Sequence, residues 1–264
     1  MSDVDFIVLD PSGGGEMLRA CVDSIRKQSM AARGIIIFDN GSPQPVRIEG
    51  ARVIRSEKNI GFAAGVNEAY RHSAGEYIAL VNNDVVLDRD WLAVTKQILD
   101  LDEKVAAVQT IIRRDERTID GAGIDVSDGT FRQVGHGLPA GAALPQAWGV
   151  SATAALYRRT ALGERIFDSR FFAYYEDVEL CARLHDTGWR TVVVPVVKAT
   201  HRGSASAPLL GARAKRLRTR NRYLVARMHR GVGKIGALLA EDLKLLGRGR
   251  TSLRGVIEGL CSPL

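Results

Sequence analysis

Apolar residues come in short, dense runs along the first half of the chain, separated by stretches with an amphipathic period. Residues 6–9, 34–38, 77–81 and 106–111 are nearly continuous in apolar character, which predicts buried strands. Residues 52–55 read as a further short strand. Residues 16–28 place Leu18, Cys21, Val22 and Ile25 on one side of a helix, and residues 62–72 and 91–101 read as two more. Strand and helix in alternation predict an α/β fold with a mostly parallel sheet flanked by helices.

The rhythm changes after residue 115. Residues 115–147 are rich in Gly, Asp and Pro, with His136 between Gly135 and Gly137, and predict hairpins and a long loop. Residues 153–158 return to strand character. Val178, Cys181, Ala182 and His185 recur at helical spacing within residues 176–187, and Gly188 closes that helix. Residues 191–197 form a β-branched strand. From residue 211 the chain is helical, first basic and then amphipathic over residues 235–246. The expected organisation is a domain over residues 1–210 and a helical extension over residues 211–264.

Composition adds limits. The chain has 264 residues, 45% apolar and 25% charged, an ordinary globular balance. It has no run of about 18 apolar residues to cross a bilayer. The acidic start, Met1 to Asp5, lacks the pattern of a signal peptide. Cys21, Cys181 and Cys261 are far apart, without metal or redox spacing, which suits reduced thiols and a cytoplasmic protein. The net charge of +7 is uneven. Arg213, Lys215, Arg216, Arg218, Arg220, Arg222, Arg227 and Arg230 follow one another with no acid between them. Such a stripe attracts polyanions or is a solvated helix face, and both readings stand. Nucleic acid is disfavoured as a partner, because only Tyr223 interleaves the cations.

Candidate chemistry lies at element ends. The buried run over residues 77–81 opens abruptly into Asn82-Asn83-Asp84. Ligands gather at the carboxyl ends of strands in open α/β sheets, and magnesium needs only one or two protein carboxylates. The same residues also favour a plain turn. A second signal is Glu176 and Asp177 directly after Phe171, Phe172, Tyr174 and Tyr175. Acids at a helix start gain from its dipole, and a carboxylate among apolar walls is kept usable as a general base. His201 is a third, following a strand expected to end near Val197.

Together these residues resemble the inverting glycosyltransferases of family 2, whose nucleotide-binding fold is called GT-A, nearest their rhamnosyltransferase-like branch. The resemblance covers roughly residues 6–201. Ile36 to Ser42 is similar to the family's second strand, whose acid, here Asp39 beside Asn40, addresses the nucleobase. Asn59-Ile60-Gly61-Phe62-Ala63-Ala64-Gly65-Val66-Asn67 resembles the run that lets backbone approach the nucleotide, which implies donor binding by Gly61, Phe62, Gly65 and Asn67. Asn82, Asn83 and Asp84 stand at the metal-binding position, and His201 where the family places a further ligand. Mg²⁺ or Mn²⁺ is the implied cofactor, with Asp84 and His201 as metal residues. Tyr175-Glu176-Asp177 with Leu180 and Arg183 matches the segment that supplies the base, implying Asp177 as catalytic and Glu176 as the second candidate.

Two departures stand out. The first strand ends in Asp10-Pro11-Ser12-Gly13-Gly14-Gly15, where Pro11 removes an amide and the glycines are expected to loosen the loop. Asn82 replaces the first acid of the metal motif and leaves Asp84 as its only charge. Rival readings fit less well. The third glycine of a dinucleotide fingerprint would fall at Leu18, and Glu16 follows the glycines where a sugar-phosphate nucleotidyltransferase needs a base. A catalytically silent binding or scaffold protein of the same fold stays open as the alternative.

The resemblance implies a sugar moved from a nucleotide diphosphate donor, dTDP-L-rhamnose first and UDP-hexoses next, onto a glycan or lipid-linked acceptor for cell-surface polysaccharide. In the tail, Ile235, Leu238, Leu239 and Leu246 share a helical face, Leu243 and Leu245 lie at its edges, and Asp242 falls near its middle. Three roles for the tail stand side by side: contact with an anionic membrane on its inner face, packing on the catalytic domain, and pairing of two subunits as a homodimer.

Overall fold

The computed structural model of the chain describes residues 2–203, 207–229 and 231–264. Expected elements appear in the expected order. Strand β1 (Val4–Asp10) leads into α1 (Glu16–Arg26), β2 (Gly34–Asn40), β3 (Arg52–Ser56), α2 (Phe62–Arg71) and β4 (Tyr77–Val81). Then come β5 (Val85–Leu87), α3 (Trp91–Leu101), β6 (Val105–Arg113) and three short strands, β7 (Ile119–Gly121), β8 (Ile124–Asp125) and β9 (Arg132–Gln133). Strand β10 (Ala154–Arg158), the short α4 (Arg159–Leu162), α5 (Glu176–Asp186) and β11 (Arg190–His201) follow. Helices α6 (Ala207–Met228), α7 (Ile235–Leu246) and α8 (Leu253–Cys261) end the chain.

The main sheet runs β3-β2-β1-β4-β10-β6-β11-β5, with β7 paired to β6. Strands β1 to β4 are mutually parallel, whereas β10 lies antiparallel between β4 and β6. Alternate residues of β1 feed opposite layers, as the pleat dictates. Phe6 and Val8 join Leu18, Trp91 and Leu99 on the α1/α3 side, and Ile7 and Leu9 join Val66, Phe38 and Leu180 on the α2/α5 side. Gly65 lets α2 sit this close: a Cβ there would lie 2.5 Å from Leu9 Cδ1 and 2.9 Å from Phe38 Cδ1.

Three differences from the sequence reading have physical causes. Strand β11 does not stop near Val197 but continues to His201, which is its last residue. Pro195 has no amide to give the ladder, and the register shifts between Val194 and Val197 and again before Ala199. The strand bulges past the proline and pairs onward. The basic stretch is mostly consumed inside the fold. Arg222 pairs with Glu241 and Asp242, Arg216 with Glu258, and Arg227 donates to the carbonyls of Gly259 and Ser262. Arg230 lies outside the described residues. Finally, Leu238 is buried and Asp242 turns onto Arg222 and Tyr223 of α6, so the exposed apolar stripe of α7 keeps Ile235, Leu239 and Leu246 of the expected face and shifts toward Leu243.

Helix α6, kinked at Gly211 (φ 46°), packs on the sheet domain. Leu224 and Val225 join Ile124, Phe171 and Val178 in a third apolar cluster. Packing on the preceding sheet domain, one of the roles open for the tail, therefore holds for α6. No described helix is long and apolar enough to cross a membrane.

Candidate active site

The carboxyl ends of β1, β2 and β4 are adjacent, since Asp10 pairs in register with Asp39 and Ile7 with Leu80. They form one edge of a cleft of about 730 Å³. Antiparallel β10 brings its preceding residues, Ser151 to Thr153, to the same edge, where Asn82 N–H donates to Thr153 O at 2.9 Å.

The loop after β1 is tight rather than loose. Asp10, fully buried, accepts from Ser12 Oγ (2.6 Å) and from the amides of Gly13 and Gly14 (2.9 Å each). Positive φ angles at Gly13 (95°) and Gly14 (84°) turn both amides onto one carboxylate, which a side chain there would hinder. The same carboxylate accepts from Asn83 Nδ2 at 2.5 Å and so ties the altered loop to the Asn82-Asn83-Asp84 turn.

At the end of β2, Asp39 has no exposed surface. Burial opposes its charge, but Ser42, the Val46 amide and the Arg55 guanidinium outweigh it and hold the carboxyl below its usual range. Asn40 accepts from Ile60 N–H at 2.9 Å and donates to Gly61 O at 3.2 Å, fixing the approach to α2. Gly61 (φ 94°) lies against Phe172, where a Cβ would come within 2.7 Å of that ring. Asn67 works behind the cleft: its Oδ1 accepts from the amides of Ile166 and Phe167 and its Nδ2 donates to Phe167 O.

His201 joins the far ends of the chain. Its Nε2 lies 3.1 Å from Asp84 Oδ1, and its Nδ1 lies 2.8 Å from Asp120 Oδ2. Burial resists a charge on the ring, yet Asp120 and Asp84 prevail and lift it to about 9. A metal-ligating histidine commonly gives its other ring nitrogen to a carboxylate in this way. Asp84 oxygen, His201 nitrogen and the bracing Asp120 thus fit a divalent cation whose remaining ligands come from phosphate and water. Among the described residues, no three His, Cys, Asp or Glu side chains converge as a complete protein cage.

The opposite wall is the start of α5. Phe172, Tyr174 and Tyr175 all have positive φ (59°, 72° and 68°), an uncommon backbone for bulky residues. Helix α6 braces this loop. Asn221 Nδ2 lies 2.8–2.9 Å from the carbonyls of Phe171, Ala173 and Tyr174, while Arg213 stacks on Phe172 (3.8 Å) and Arg218 on Tyr174 (4.3 Å). Beyond the loop, Asp177 accepts from Val178 N–H (2.9 Å) and Ala152 N–H (3.3 Å). Burial raises Asp177 above the usual carboxylate range despite those amides, and burial with the Asp177 charge pushes Glu176 up to about 8.

Of the residues singled out from sequence, Asn40, Phe62, Asn82, Asn83, Asp84, Glu176, Asp177 and His201 line the cleft. Asp39, Gly61, Gly65 and Asn67 support it from behind through the contacts above. Sequence reasoning missed Asp120, which lies in a stretch with no period, and Asn221, which looks like any polar residue of a basic helix. Asp10 was noticed only as a departure from pattern.

Residues 13–166 match the model of a family described as "Glycosyl transferase family 2". The chain is 28% identical over 215 residues to "Uncharacterized protein y4gI" of Sinorhizobium fredii, over 72% of this chain and 23% of that protein. It is 43% identical over 58 residues to "N-acetylglucosaminyl-diphospho-decaprenol L-rhamnosyltransferase" of Mycobacterium tuberculosis, over 22% of this chain and 19% of that protein. The match thus spans less than a quarter of either curated relative. Among solved structures, it resembles the mannosyltransferase PcManGT from Pyrobaculum calidifontis in complex with GDP-Man and Mn²⁺, with TM-score 0.60 and 17% identity, over 96% of this chain and 77% of that one. It also resembles S. aureus TarS, with TM-score 0.55 and 16% identity, over 100% of this chain and 46% of that one. These two likenesses concern the fold.

Proposed function

Because the chain belongs to glycosyl transferase family 2, we propose that it moves a sugar from a nucleotide diphosphate donor to an acceptor hydroxyl, inverting the anomeric carbon. The observation that carries this reading is one cleft holding two kinds of acid. Asp84 with His201 stands on one wall, suited to a cation and diphosphate, and Asp177 stands on the other, suited to a proton.

The Asn40–Gly61 contacts and the bound Asp39 keep the β2 end and the α2 start in place for the nucleoside. A divalent cation held by Asp84 and His201 would neutralise charge developing on the leaving diphosphate. Asp177 Oδ takes the acceptor's proton as its oxygen attacks from the face opposite the diphosphate. The amides of Ala152 and Val178 orient that carboxylate, and its raised proton affinity suits a general base. Glu176, buried beside it, keeps a proton longer and is the weaker candidate.

For the donor we favour dTDP-L-rhamnose, supported by the 58-residue likeness to the rhamnosyltransferase, and for the acceptor a glycan on a diphosphate-linked lipid carrier. GDP-mannose, named with PcManGT, is the competing donor. Nucleoside diphosphate release should be measured across a panel of dTDP-, UDP- and GDP-sugars with Mn²⁺ or Mg²⁺. Turnover of UDP- or GDP-sugars alone overturns the rhamnose preference. Donor binding without turnover of any sugar, across a range of acceptors, favours a silent binding protein instead.

A further inference from the structure

Helix α7 shows solvent an apolar stripe that no described residue of the sheet domain covers. Ile235, Leu239, Leu243 and Leu246 are exposed at intervals of three or four residues, Leu243 by 74%. The reason lies along one edge of the stripe, where the helix meets the fold. Leu238 is fully buried against the fold, and Asp242 accepts from Arg222, from Tyr223 Oη (2.6 Å) and from Thr251 Oγ1 (2.6 Å). The one acid of the helix that would oppose insertion in lipid is therefore neutralised and turned inward.

Helix α8 likewise buries one side on α6 and exposes apolar residues on the other. Its Gly255 and Gly259 press on α6 so closely that a Cβ would lie 2.7 Å from Arg216 O and 2.6 Å from Arg220 O. Leu253 and Ile257 stand two positions from Gly255, about 200° round the helix, and so face away from α6. Leu253 is 62% exposed.

Charge around these stripes is one-sided. Glu241 pairs with Arg222, and Glu258 pairs with Arg216 and Arg254. Lys234, Lys244, Arg248 and Arg250 are exposed and form no ion pair among the described residues. Exposed apolar residues on α7, with unpaired cations at its start (Lys234), on its polar side (Lys244) and just past its end (Arg248, Arg250), match the chemistry of a helix lying in a lipid interface.

We propose that α7 and α8 rest on an anionic lipid surface. The exposed leucines and isoleucines enter the boundary between headgroups and acyl chains, and the four free cations meet the lipid phosphates. A second copy of the chain is a poorer occupant, because it would bring the same unpaired cations to the contact and no acids to meet them. This placement does not depend on which sugar is transferred, or on transfer at all.

The test is flotation of the full chain with phosphatidylcholine vesicles, with and without phosphatidylglycerol. Binding is expected only with phosphatidylglycerol, and salt should weaken it. Replacing Lys244→Gln and Arg248→Gln together should lower affinity about 25-fold, at about 1 kcal/mol per cation. Replacing Leu239→Ser, Leu243→Ser and Leu246→Ser should lower binding further while circular dichroism and the unfolding midpoint stay unchanged. Equal binding to both vesicle types overturns the proposal. So does a leucine variant that floats like the parent, since contact is then purely electrostatic, as with a nucleic acid. A dimer in sedimentation velocity that the leucine substitutions dissolve also overturns it, in favour of pairing between copies.

Discussion

Asn221, fully buried in α6, donates its side-chain amide to the carbonyl oxygen of Tyr174 at 2.8 Å. Tyr174 lies three residues before Asp177, in a loop with three bulky residues at positive φ. Such backbone costs about 1–3 kcal/mol per residue and persists only where surrounding contacts enforce it. Because the same nitrogen also reaches the carbonyls of Phe171 and Ala173, the tail helix holds the shape of the cleft wall that leads to Asp177.

Asn221→Ala should therefore both destabilise and slow the enzyme. Leaving buried carbonyls unpaired costs about 1–3 kcal/mol, readable as a lower urea midpoint. The turnover rate should fall more than the donor's dissociation constant rises. A variant of parental stability and rate would mean that the loop holds itself.

Asp177→Asn keeps the shape of the side chain but cannot take a proton. The expected outcome is a loss of about 10²–10⁴-fold in kcat with donor affinity, measured by calorimetry, unchanged. Glu176→Gln should cost far less. If the two variants swap ranks, Glu176 is the base.

The raised carboxyls set the direction of the pH dependence. As the proposed base, Asp177 must be ionised to act, so the rate should fall as pH drops through its raised value. Stability runs the opposite way for Glu176. Its proton is bound more tightly in the fold (to about 8) than in the open chain (4.5), so stability is lost as pH rises across that interval. Glu176→Gln removes this loss. The variant should unfold at higher denaturant than the parent above pH 8 and show little of that advantage below pH 4.5, as fluorescence titrations would record.

Asp84→Ala and excess EDTA should each abolish turnover if a cation acts at this end of the cleft. Asp120→Asn tests the brace behind His201. Loss of such an outer partner typically weakens metal affinity about 10–100-fold, so activity should return at high Mn²⁺. Full activity in EDTA contradicts the metal reading.

Much of this molecule is legible from residue order alone. The strands β1, β2, β4 and β6 carry dense apolar runs because both faces of the sheet are covered, and α2 and α5 carry their apolar residues at helical spacing. Asp84, Glu176 and Asp177 announce themselves because each stands where an element begins or ends, and acids there conflict with the apolar run beside them. These are local signals, carried by neighbours a few residues apart.

What tertiary structure decided depends on partners far along the chain. His201 ends a strand because β11 bulges past Pro195 and pairs its last residue with Val85. Its ring is fixed by Asp120, 81 residues away, from a segment whose glycines and turns carry no period. Asp39 reads as a ligand-facing acid until Arg55 and Ser42 fill its oxygens. Asp242 looks misplaced on an apolar helix until Arg222 and Tyr223 meet it. The arginine stripe of α6 reads as a free cationic surface, yet stacking on Phe172 and Tyr174 and pairing with Glu241, Asp242 and Glu258 use much of it. Period and composition report which side of an element is apolar. Which polar group neutralises which is settled only when elements distant in sequence pack, because a buried charge takes its meaning from the partner that satisfies it.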